Sequence, residues 1–165
     1  MAEIETHPEV PPLAWSAELA TGDACMDETH QEFVTQLAAL RALPPQAQLE
    51  PYRALIAHTE AHFAREERWM VAVGFAPDNC HARHHREILD MMRAVERHYL
   101  DGDTDIIARM AAALAEWFPT HAQTMDAGLA QHMRTVGFDS RTERLADPSR
   151  VRPATMTGCG SVHCR

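Results

Sequence analysis

Eleven of the 165 residues are histidine, and several of them occupy positions where helical spacing would otherwise put leucine. His62 and Glu66 form one i, i+4 pair and His81 and His85 another, so each pair shares a helix face one turn apart. His30 and His121 fall on two further apolar stripes. Burying one polar side chain without a partner costs about 2–7 kcal/mol. Burying a set of them in one core makes sense only if something satisfies them jointly. A metal centre does so, with imidazole and carboxylate donors projecting inward from facing helices. His121 and Asp126 are five apart, which separates them by about 140° on a regular helix at about 100° per residue. Both reach one centre if the helix widens locally into a π-type turn. Pro119, which lacks an N–H, already disturbs the ladder there.

The elements that must carry these residues read as helices. His30, Phe33, Leu37 and Leu40 step by three and four; so do Leu55, Thr59, His62, Glu66 and Met70. The third stripe is His81, His85, Ile88, Met92, Val95 and Tyr99, and the fourth is Ile107, Met110, Leu114, Trp117, His121 and Met125. Alternation that would signal strands is absent. Pro44-Pro45 and Pro51 bound one loop, Gly74 to Asn79 forms a second, and Asp101-Gly102-Asp103 a third. Asp78 or Asn79 is expected to cap the third helix, and Asp103 or Thr104 the fourth. Short loops between long helices predict an all-α, up-down-up-down antiparallel four-helix bundle. We divide the chain into an N-terminal arm (1–22), the bundle (23–136) and a C-terminal tail (137–165). That tail has five Arg, three acidic residues and few large apolar ones, so it is expected to have no core of its own and to be flexible.

Composition narrows the function. The chain has 24 acidic and 15 basic side chains, net −9, which argues against nucleic acid as a partner. No apolar window is long enough for membrane insertion, and the N-terminus lacks the features of a secretion signal. Four cysteines make no CxxC pair and no dense disulfide framework, so a reducing cytoplasm is the default compartment. Cys25 and Cys80 read as small buried apolar residues. Cys159 and Cys164, with His163 between them, could form a redox couple or hold a metal in transit.

The set His30, His62-Phe63-x-x-Glu66-Glu67-x-x-Met70, Gly74-Phe75, His81-x-x-x-His85 and Trp117-x-x-x-His121-x-x-x-x-Asp126 resembles the hemerythrin family. More narrowly, it is similar to the stand-alone bacterial members. Trp15, Thr21-Gly22-Asp23 and Asp27-x-x-His30 extend the likeness, which covers roughly residues 13–135. The resemblance implies a non-haem di-iron centre, oxo- or hydroxo-bridged. His81, His85 and His121 would bind one iron, His30 and His62 the other, and Glu66 and Asp126 would bridge them. One coordination position would stay open on the iron with two histidines, for O₂.

The implied function is reversible O₂ binding, for storage, for delivery to an oxygen-consuming enzyme, or for sensing; a reductase is a further possible partner. The alternatives on the same residues are a di-iron oxidase, peroxidase or nitric-oxide reductase, or an iron-handling protein. No Glu is followed three residues later by His, as ferritin-like enzymes require, and HExxH is absent. Trp117, Phe118 and Ala122 are expected to line the O₂ pocket. Ala122 and Phe118 depart from the larger aliphatic residue and the Leu common in the family, which predicts altered O₂ access and faster autoxidation. Glu67 points about 100° away from Glu66 and reads as a surface carboxylate. His7, His58, His84, His98, His132 and His163 read as surface histidines.

Overall fold

The computed structural model describes residues 12–152 and 154–158. Four long helices make the bundle: α1 (Ala24–Arg41), α2 (Leu49–Ala72), α3 (Cys80–Leu100) and a fourth built of α4 (Ile106–His121), a π turn (Ala122–Asp126) and α5 (Ala127–Val136). Successive helices pack on one another and α1 closes the ring against α4. This is the antiparallel four-helix bundle that the stripes predict.

Local chemistry sets the ends. The Asp23 side chain accepts from the Met26 N–H at the start of α1. Asp27, one turn in, accepts from the Thr21 N–H and hydroxyl and the Gly22 N–H, which ties the arm to the helix. Asn79 caps α3 by accepting from the Ala82 N–H at 3.0 Å. Two boundaries differ from the sequence reading. Pro51 lies inside the first turn of α2, where a missing N–H costs nothing. The fourth helix begins at Ile106 after Asp105, and the Asp103 carboxylate pairs with Arg109 instead of capping.

The core is two apolar clusters with a polar layer between them. One holds Phe33, Leu37, Leu55, Phe63, Ile88, Leu114 and Phe118. The other holds Met26, Trp69, Met70, Phe75, Ala82, Leu129 and Met133. Each helix contributes to both, and the buried His, Glu and Asp side chains lie around the level where the two contributions meet. Trp15 packs the arm onto the first cluster.

The described residues after Gly137 pack on the bundle's core in place of one of their own. Gly137 takes a left-handed conformation (φ 74°) that ends α5. A short hairpin of β1 (Phe138–Asp139) and β2 (Arg144–Leu145) follows, with Phe138 buried in the second cluster and Leu145, Val151 and Met156 against it. The cysteines also differ from expectation. Cys25 is half-buried and free, and Cys80 is half-buried and disulfide-bonded. The Cys159-His163-Cys164 motif and His7 lie outside the described residues. Among the described residues, no helix is long and apolar enough to cross a membrane.

Candidate metal centre

All seven predicted donors meet in the polar layer. His30 comes from α1, His62 and Glu66 from α2, His81 and His85 from α3, and His121 and Asp126 from the fourth helix. Six are nearly or fully buried, and His62 is 6% exposed. Donor atoms of Glu66, His81, His85, His121 and Asp126 all lie within 4.8 Å of one another, as do those of His30, His62 and Glu66.

The π turn brings the fourth helix's two donors together. It adds a residue to one turn, so His121 and Asp126 face the same side, and His121 Nε2 stands 3.1 Å from Asp126 Oδ1. The carboxylates then reach both groups. Glu66 Oε1 is 3.3 Å from His62 Nε2, and Glu66 Oε2 is 3.3 Å from His85 Nε2 and 3.7 Å from His81 Nε2. Asp126 Oδ1 is 3.0 Å from His81 Nε2, and Asp126 Oδ2 is 3.3 Å from His30 Nε2.

These short separations are not a hydrogen-bond network. Both oxygens of Glu66 and of Asp126 lack a hydrogen-bond partner of proper geometry, as do both ring nitrogens of His81, His85 and His121. His30 Nε2 and His62 Nε2 approach to 3.2 Å, a contact of two ring nitrogens. So many buried orphan atoms aimed at one another are what a cation site looks like before the cation is counted. Five imidazoles and two carboxylates suit a borderline first-row metal such as iron.

Burial governs the charges. It lowers His121 to about 4 and takes His62, beside His30, well below its ordinary value. Burial and then the charge of Asp126 raise Glu66 to about 8. Burial works against ionisation of Asp126, but His121, His30 and His81 outweigh it and hold this carboxyl well below its usual range.

The surrounding shell is aromatic. Phe63 stacks on His85 with ring centroids 3.7 Å apart, Trp117 stacks on His121 at 4.5 Å, and Phe118 meets His30 edge-on at 5.1 Å. A cavity of about 10 Å³, roughly room for one water-sized molecule, touches His62, His121 and Asp126 and is walled by Phe33, Thr59, Phe63, Trp117 and Phe118, among others. Trp117 and Phe118, two of the three residues expected to line a pocket, both line this cavity. Ala122 does not line this cavity; it is fully buried in the first apolar cluster.

Sequence reasoning missed some participants. Phe33, Thr59 and Phe63 line the cavity from stripe positions that look like ordinary core. Glu67 is no donor to the cluster, yet its Oε1 lies 3.7 Å from His85 Nδ1, on the ring side away from the centre. The Glu-Glu dipeptide was the available signal. His132 is also not a free surface residue, since its Nε2 lies 2.9 Å from the Val73 carbonyl oxygen. His58 pairs with Glu32 at 3.0 Å.

A four-helix bundle with this donor layer defines a cation-binding protein of the α-helical class. The chain belongs to the hemerythrin family: residues 21–132 match the hemerythrin HHE cation binding domain. It is 37% identical over 137 residues to a bacteriohemerythrin of Ralstonia nicotianae, a span covering 83% of this chain and 100% of the relative. No solved structure matches the chain.

Proposed function

We propose that this chain is a non-enzymatic O₂-binding protein that takes up and releases O₂ at a di-iron centre. The observation that carries this reading is the two-sided use of Glu66 and Asp126, each with one oxygen toward His30 or His62 and the other toward the His81, His85 and His121 group. Two ions side by side would use both oxygens of both carboxylates; one ion would strand half of them. His81, His85 and His121 would hold one iron, His30 and His62 the other. Iron supplies the redox chemistry that lets O₂ be held and released.

The protein's own residues do the rest. The two-histidine side has fewer donors, and the small cavity touches its His62 as well as His121 and Asp126. Phe33, Phe63, Trp117 and Phe118 keep bulk water from that side. No acid or base other than the seven donors lines the cavity, so nothing there is placed to cleave an O–O bond by proton transfer. That favours a carrier over an oxidase or peroxidase. The bacteriohemerythrin name of the relative supports the same reading.

The test is anaerobic loading with Fe²⁺, a count of iron per chain, admission of O₂, and removal of O₂ while the visible absorbance is followed. Two irons and a band that bleaches reversibly are expected. Turnover with added reductant would instead make it an enzyme, and one iron or none would remove the di-iron reading.

A further inference from the structure

Two spaces flank the indole of Trp117. The inner one is the small cavity beside the donors. The outer one is a surface pocket of about 290 Å³, lined by His84 of α3 and by Trp117, Thr120, His121, Thr124 and Met125 of the fourth helix. Among the described residues, only Trp117 and His121 line both. His121 is a donor, held in place whenever a cation is bound, so Trp117 is the part of the partition that can move. Its side chain is half-buried and stacks on His121 with ring centroids 4.5 Å apart and planes 27° apart.

The helix is loosened around this side chain. Pro119 has no N–H to donate to the Ala115 carbonyl, and the π turn begins at Ala122. The outer pocket gives the indole room to swing outward. Among the described residues, no Asp, Glu or Arg lines that pocket, and the inner cavity beyond the donors is walled by apolar side chains and Thr59. A small uncharged molecule crosses such a passage freely, whereas a hydrated ion must shed hydrogen bonds to follow.

We propose that the outer pocket is the vestibule through which O₂ reaches the centre, and that Trp117 is its door, swinging off His121 to join the two spaces. The inference rests on the O₂-carrier reading above. A door is a barrier crossed in both directions. It therefore sets entry and release together and leaves the equilibrium affinity to the donors.

Fluorine NMR of the full, metal-free chain labelled with fluorotryptophan gives the first readout. The Trp117 resonance, assigned by its loss in Trp117→Phe, should show two-site exchange on the microsecond-to-millisecond scale. That of Trp69, fully buried in the second apolar cluster, should stay sharp. The second readout is stopped-flow O₂ entry and release in the iron-loaded chain. Thr120→Trp adds a ring to the vestibule from an exposed position. It should slow both rates about tenfold and leave the affinity unchanged. Trp117→Phe, a smaller door, should quicken both. A Trp117 resonance without exchange, unchanged entry in Thr120→Trp, or slowed entry with release unaltered would overturn the door. Fewer than two irons, or no O₂-dependent band, would overturn the carrier reading instead, and the fluorine spectrum still judges the motion of Trp117.

Discussion

Glu66 and Asp126 face each other across the polar layer and divide their oxygens between the same two sets of imidazoles. Neither carboxylate has a hydrogen bond of proper geometry to account for its burial. The two reach the layer from opposite sides, Glu66 from a regular helix and Asp126 from a π turn.

Removing either carboxylate should therefore unmake the pair and not weaken one ion alone. Glu66→Gln and Asp126→Asn keep the side-chain volume but lose the charge and one donor oxygen. Bound iron should fall to one ion or fewer per chain, with the helical circular dichroism spectrum retained. Two tightly bound ions in both variants would contradict the shared-carboxylate geometry.

Metal affinity should rise with pH between about 6 and 8. In the metal-free chain Glu66, raised to about 8 by burial and Asp126, keeps its proton at neutrality. His30 is shifted in the same direction: burial pulls it down, but the Asp126 carboxylate beside it outweighs that and raises it. A cation must displace the Glu66 proton, whereas His121 (about 4) and His62 are already neutral donors. Each proton released steepens the dependence by up to about tenfold per pH unit. Chelator competition at stepped pH measures this, and a flat or falling profile would count against it.

Glu67→Gln should weaken the site without touching it. Glu67 is 42% exposed in its side chain and its Oε1 stands 3.7 Å from His85 Nδ1, outside the cluster, where its charge favours a proton on Nδ1 and leaves Nε2 as the inward donor. Loss of such an outer carboxylate lowers metal affinity by about 10–100-fold in comparable sites. Thermal stability of the metal-free chain should change little.

Phe118 and Ala122, the two departures from the family pattern, should separate experimentally. Phe118 lines the cavity and covers His30, so Phe118→Leu should open that wall and alter the autoxidation rate in air. Ala122 is fully buried among apolar neighbours. Ala122→Ile should act mainly as overpacking, at about 1–3 kcal/mol of stability, read from thermal unfolding. An autoxidation rate that follows Ala122 and ignores Phe118 would place the cavity wall elsewhere.

The sequence by itself determined the four stripes, the bundle and the seven inward polar residues. Helical period records which face each residue takes, and five histidines on inward faces are visible as a conflict with hydrophobic patterning. The five-residue gap from His121 to Asp126 even announced the π turn. Tertiary structure alone decided which oxygen serves which imidazole, because that depends on helix offsets and rotations with no periodic signature. It also decided that Glu67 backs His85, and that Phe63 lies flat on the same ring. The fate of residues 138–152 and 154–158 was equally hidden. They dock through backbone hydrogen bonds to Gly74, Ala76 and Cys80 and a few scattered apolar side chains. Such contacts need a finished surface to dock on, and so leave no pattern along the chain.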